Sequence, residues 1–142
     1  MFKRILIALD HSKADDALLP RVKELARLTK ADLLLIHVST GWAARWQKDL
    51  NLSDSDEIRE DRAYLDRQEK QLREEGFTVR VYHATGEPSN EILRIGREEQ
   101  CDLIAMTTHG HRLLSDLIHG TTITKVRHEA EIPIFLVKAS PD

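Results

Sequence analysis

The chain holds little of what would brace, tether or anchor a protein. It has one cysteine among 142 residues, so neither an internal disulfide nor a cysteine-rich zinc site can form, and a reducing, cytoplasmic setting is expected. Basic residues are not in excess: 21 Lys and Arg against 24 Asp and Glu leave a formal net charge of −3. A dedicated binder of nucleic acid or of an anionic membrane would carry a marked basic surplus. Prolines (four) and glycines (six) are too sparse to make a linker anywhere, and no repeat of solenoid period occurs. The apolar run Ile5 to Leu9 is too short for a signal-peptide core and far short of a membrane span. Neither a Walker loop nor a G-x-G-x-x-G fingerprint is present, and no G-x-S-x-G elbow or H-E-x-x-H zinc motif appears. What is left is a soluble chain, expected to form one domain over residues 1–142 and long enough to bury a core of its own.

What the chain does have is a regular alternation of short apolar runs with longer amphipathic ones. Ile5 to Leu9, Asp32 to Val38 and Asp102 to Thr107 read as strands buried on both faces, and Ile134 to Val137 as a last, short one. Phe77 to Ala84 is more polar and alternating, which suits the edge of a sheet. Between them lie helical patterns. Ala14 to Thr29 has apolar positions Ala14, Ala17, Leu18, Val22, Leu25, Ala26 and Leu28. Asp54 to Glu75 carries nine acids and five bases around a narrow stripe of Ile58, Leu65 and Leu72, ending at Gly76 as a C-terminal cap. Pro88 to Glu99 opens on a proline tolerated in the first turn, and a last helix runs from about Thr121 to Ala130. Strands separated by helical crossovers mean a parallel sheet with helices on both faces, a doubly wound α/β architecture. Its ligands are expected beyond the carboxyl ends of the strands.

Those ends carry Asp10-His11, His37-Val38, His83 and Thr108-His109-Gly110. The most informative stretch is Thr107-Thr108-His109-Gly110, nine residues, then Gly120-Thr121-Thr122. A strand end, a glycine turn and a second glycine at a helix start offer unpaired backbone N–H groups to phosphate. An ordinary strand-to-helix loop with Thr121 as N-cap has the same composition.

At these residues the chain resembles the universal stress proteins, whose nucleotide-binding members carry G-x2-G-x9-G-(S/T) after the fourth strand. Here Thr107 stands in place of the first glycine, followed by Gly110, Gly120 and Thr121. The stretches Lys3 to Ser12, Asp32 to Val38, Gly86 to Leu93, Cys101 to Gly110 and Ile132 to Lys138 also resemble family motifs in order and spacing. The resemblance implies a Rossmann-like fold of the adenine nucleotide alpha hydrolase kind, a five-stranded parallel sheet in the order 3-2-1-4-5. It implies ATP or AMP as ligand, with or without magnesium, and a non-enzymatic role in stress response as sensor or regulator. Asp10 would take ribose hydroxyls, Val38 would meet adenine beside Ala8 and Leu9, and Gly110 and Gly120 would offer backbone N–H groups to phosphate. His109, Arg112, Thr121 and Thr122 would lie nearby. Thr107 leaves two outcomes open, because a β-branched residue resists positive φ. Either it weakens or abolishes nucleotide binding and the chain acts as a dimeric interaction module with an unknown protein partner, or it stays extended and offers its hydroxyl.

Three further features bear on function. Seven histidines are many for this length. His11, His37, His83, His109 and His111 raise a zinc or nickel site as an alternative, with His83 expected too far across the sheet to join and Cys101 at the opposite strand end as a buried small residue. Ser115, Asp116 and His119 are close in sequence, which is not triad geometry. Trp42 and Trp46, in the irregular stretch Thr40 to Ser53, lie four apart and would pack over the cleft or anchor a partner. Finally, the strand Ile134 to Val137 is flat and apolar, and pairing with its own copy in a homodimer would protect it.

Overall fold

The computed structural model describes residues 1–39, 56–108 and 122–139. Trp42, Trp46, His109, Gly110, His111, Arg112, Ser115, Asp116, His119, Gly120 and Thr121 lie outside the described residues. The elements are β1 (Arg4–Ala8), α1 (Ala14–Thr29), β2 (Asp32–Ser39), α2 (Asp56–Glu74), β3 (Val79–Thr85), α3 (Pro88–Glu98), β4 (Leu103–Thr107), α4 over residues 122–129, and β5 (Ile134–Val137). The five strands form one parallel sheet in the order β3-β2-β1-β4-β5.

Strand side chains alternate between faces, so two cores form from one sheet. Ile5 and Ile7 of β1 join Leu33 and Leu35 of β2 under Leu18 and Val22 of α1 and Leu65 and Leu72 of α2. Leu6, Leu34 and Ile36 point the other way, onto Ile92 and Ile95 of α3 and Ile123 and Val126 of α4. Each fully buried Leu or Ile contributes about 1.5–3 kcal/mol, which explains why the continuous apolar runs become the central strands.

The helix boundaries follow local chemistry. Pro88 occupies the first turn of α3, and the Glu87 side chain caps that turn by accepting from the Asn90 N–H at 2.8 Å. α2 closes at Gly76, whose φ of +100° lies in the left-handed region, and the Phe77 N–H turns back to the Leu72 carbonyl at 3.1 Å. Two readings of the amphipathic patterns need correction. Leu28 sits on the solvent side of α1, 83 % exposed, and Leu19 takes a buried place instead. The stripe of α2 includes a charged residue, because Asp61 is buried alongside Leu65 and Leu72.

Candidate functional site

The carboxyl ends of β1 and β2 are tied together first by backbone, with the Leu9 N–H donating to the Ile36 carbonyl at 2.8 Å. The chain then turns sharply into α1. Asp15, buried in the first turn of α1, accepts the backbone N–H groups of Asp10 and His11 at 2.8 Å each. That cradle holds His11 at φ +59°, a left-handed conformation that a non-glycine residue keeps only where its surroundings enforce it. Burial pushes the Asp15 carboxyl up, opposed by the donors from Asp10, Tyr64 and His11. The Asp10 carboxylate is left at the strand end, where it accepts from the Ser12 hydroxyl at 2.5 Å.

A second carboxylate, Asp61 of α2, reaches the same strand ends from above. Its Oδ1 accepts from His11 Nδ1 at 2.6 Å, and its Oδ2 accepts from the Ser39 hydroxyl at 2.6 Å and lies 3.1 Å from His37 Nε2. The other nitrogen of His37, Nδ1, lies 2.8 Å from the Leu9 carbonyl oxygen. Because Ser39 donates its one proton to Asp61, its oxygen accepts from His83 Nε2 at 2.7 Å. Tyr64 completes the arrangement by stacking on the His11 ring at 4.1 Å and donating to Asp15 at 2.6 Å. Burial works against the Asp61 charge, but its bonds from His37, Ser39 and His11 hold the carboxyl well below the usual carboxylate range. Burial and the charge of Asp15 hold the Tyr64 phenol above its ordinary range.

Of these groups, Asp10, His11, His37 and Asp61 border a cleft of about 370 Å³ between the strand ends and α2. Its apolar floor is Ala8, Leu9, Ile36, Val38, Ile92 and Met106, and its polar rim includes Asp10, His11, Glu57, Glu60 and Asp61. Among the described residues that line it there is no lysine or arginine. The volume falls within the range of small-molecule sites, roughly 300–1,000 Å³. Six residues singled out from sequence meet here: Ala8, Leu9, Asp10, Val38, Thr107 and Thr122. The other five, His109, Gly110, Arg112, Gly120 and Thr121, lie outside the described residues. Thr107 keeps extended strand geometry outside the positive-φ region and pairs with Val137.

The histidine arrangement differs from the sequence expectation. His83 is not too far across the sheet: β3 pairs directly with β2, His83 stands opposite His37, and their rings lie 6.3 Å apart. The ring nitrogens named above are engaged in hydrogen bonds, and among the described residues no group of three or more His, Cys, Asp or Glu is arranged to hold a metal ion. Cys101 lies at the amino end of β4, buried, and burial pushes its thiol up to about 11. Asp15, Ser39, Asp61 and Tyr64 went unnoticed in the sequence. Asp61 did leave a trace, since it stands three residues after Ile58 and four before Leu65, on the apolar stripe of its helix.

Comparison with known proteins gives a consistent picture. The profile of the universal stress protein family matches residues 1–138. The universal stress protein MJ0577 of Methanocaldococcus jannaschii is 26 % identical over 156 aligned positions, covering 97 % of this chain and 96 % of that protein. The solved structure of MJ0577 superposes with a TM-score of 0.85 over 100 % of this chain and 99 % of its own. The universal stress protein YxiE of Bacillus subtilis is 24 % identical, covering 97 % of this chain and all of YxiE. A universal stress protein from Archaeoglobus fulgidus, solved in complex with dAMP, shares the fold at a TM-score of 0.70 and 19 % identity, over 96 % of this chain and 98 % of that one.

Proposed function

The chain belongs to the universal stress protein family, and from that premise we propose that its cleft binds an adenine nucleotide, ATP or AMP. The observation that carries this reading is the convergence of Ala8, Leu9, Asp10, Val38, Thr107 and Thr122 on one cleft beyond the strand ends. An apolar floor beside the exposed backbone of a strand end suits a flat base, and a carboxylate at the end of β1 can accept two ribose hydroxyls. The dAMP held by the Archaeoglobus fulgidus relative supports the same ligand class. The cleft's described rim is acidic. Its phosphates would therefore be met by backbone N–H groups and hydroxyls of the Gly110–Thr122 segment and by Arg112, rather than by a lysine cluster. ATP would bring its own magnesium.

The role is that of a non-enzymatic, cytoplasmic regulator or sensor in stress response, acting as one domain and as a homodimer through β5. The test is mass spectrometry of nucleotide released from gently purified, then denatured protein, joined to thermal unfolding with millimolar ATP and magnesium. Released adenine nucleotide, or a rise in Tm with ATP, is expected. Protein that neither carries nucleotide nor is stabilised by ATP with magnesium would overturn the reading.

A further inference from the structure

The His37 imidazole is held between two oxygens that can only accept: the Leu9 carbonyl, 2.8 Å from Nδ1, and Asp61 Oδ2, 3.1 Å from Nε2. A neutral imidazole carries one N–H. Either neutral tautomer therefore sets a nitrogen lone pair against an oxygen in a buried place, which is unfavourable. A proton moved from Nε2 onto Asp61 would satisfy the same contact, but the bonds Asp61 accepts from His11 and Ser39 favour its charged form and hold it well below the usual carboxylate range, so the proton stays on the ring. With Asp61 ionised, the doubly protonated ring is the form that satisfies both contacts.

The position of this cation matters. His37 immediately precedes Val38 in β2, and the carbonyl it holds belongs to the residue before Asp10. One imidazolium thus joins the two backbone segments that wall the cleft to α2, which supplies Glu57 and Glu60 to the rim. The charged and titratable groups around it are Asp10 and His11 at the end of β1, Asp15 of α1, Glu57, Glu60, Asp61 and Tyr64 of α2, and His83 of β3. Carboxylates dominate this set. Burial and the charge on His37 both keep His83 below its ordinary value, with Asp61 and Asp66 opposing and Arg62 assisting. The positive charge therefore resides on His37 and not on His83.

We propose that His37 and Asp61 form a proton-operated latch that positions the Leu9–Asp10 and Val38 backbone against α2, so that nucleotide affinity falls as rising pH removes the His37 proton. Both act as positioning residues, and the coupling to nucleotide rests on the reading of the cleft given above. Loss of the Nε2 proton turns an attraction to Asp61 into a lone-pair repulsion and leaves α2 held to this end of the sheet by the bonds of Asp61 to His11 and Ser39 and by Tyr64. Burial opposes the charged ring, but the bonds to Asp61 and Leu9 and the charges of Asp61 and Asp15 together raise its pKa above the usual 6.5. The latch is therefore closed below that value and opens as pH climbs through the higher one.

Two measurements test it on the full chain. In the ligand-free protein, nitrogen NMR of the His37 ring should report two protonated nitrogens at pH 6.5, and amide exchange over residues 56–65 should quicken several-fold beyond its intrinsic pH dependence as that ring titrates. AMP affinity by calorimetry should then fall about tenfold between pH 6 and pH 9 relative to His37→Gln, a ratio in which titration of the AMP phosphate cancels. A ring that is neutral at pH 6.5, or exchange indifferent to its titration, overturns the latch. Bound AMP with the same pH profile in both proteins overturns its coupling to the site. Failure to bind AMP at every pH overturns the nucleotide reading and the coupling together, while the ring and exchange measurements still decide the latch.

Discussion

At the scale of single residues, most of the structure's tension is concentrated on Asp61. It is buried, charged and the acceptor for three side chains, two from β2 and one from the turn after β1. Removing one member of such a pair leaves the other charge buried without compensation, which costs more than the pair itself is worth. Asp61→Asn should therefore destabilise the protein by about 3 kcal/mol in urea unfolding near pH 6. The penalty should shrink as pH rises, because the native protein loses the His37 charge as pH climbs through its raised folded-state pKa, and with it the pairing that the variant lacks. In the native protein the two groups act at opposite ends of the pH scale. The Asp61 contribution is present above the ordinary carboxylate pKa and is lost only on deep acidification. The His37 contribution is complete below about 6.5 and is lost on the alkaline side. A penalty for Asp61→Asn that is flat from pH 6 to pH 9 would show that His37 is not its charged partner. This residue also marks the boundary of what was legible at the site. Asp10 and Val38 could be placed from sequence because strand ends and family motifs are local signals. Asp61 could not, because its role depends on a helix packing across β2 and β3, a contact that nine acids in one segment conceal.

At the scale of elements, the three helices α1, α2 and α3 close by the same left-handed turn but with different residues. α2 uses Gly76 at φ +100°, whereas α1 uses Lys30 at +59° and α3 uses Gln100 at +55°. At Gln100 the geometry is complete, with the Cys101 N–H returning to the Gly96 carbonyl at 2.9 Å. A side chain in this region costs about 1–2 kcal/mol relative to a residue that lacks one. Gly76→Ala should lower stability by about 1 kcal/mol, and wholly through the backbone, since nothing lies within 4 Å of the added carbon. Gln100→Gly should raise stability by up to about 1 kcal/mol by the same reasoning run backwards. Urea unfolding of both variants checks the pair, and a neutral Gly76→Ala would mean that α2 can close another way. The contrast explains the uneven legibility of the fold. β5 to the residue, and the ends of α2 at Gly76 and of α3 at Pro88, could be anticipated because apolar runs, glycine and proline are explicit signals, whereas the strand order was implied only by the family resemblance. The closures at Lys30 and Gln100 had no such marker, and Leu28 misled because helical spacing alone does not say how wide the covered stripe is.

At the scale of the whole molecule, the acidic balance of the chain is not merely a solvated face. Glu57, Glu60 and Asp61 bring the charge of α2 to the cleft, so the molecule presents an acidic wall on one side of its site. The sheet is asymmetric in another respect, at its two edges. β3 at one edge carries Arg80, and charge within an edge strand discourages pairing with another chain. β5 at the other edge is Ile134-Phe135-Leu136-Val137, without a charge or a proline. Among the described residues it is hydrogen-bonded to β4 alone, and Leu136 is 37 % exposed. An apolar edge of this kind invites a partner, and an identical strand across a two-fold axis satisfies both copies at once. A dimer that persists at micromolar concentration is therefore expected in sedimentation velocity. Leu136→Lys should dissociate it while leaving the fold intact, because Leu136 belongs to neither core and only its exposed face is altered. A wild-type chain that sediments as a monomer at every concentration would exclude this edge as the interface. If Leu136→Lys remained dimeric, the contact would have to lie elsewhere on the surface, away from β5.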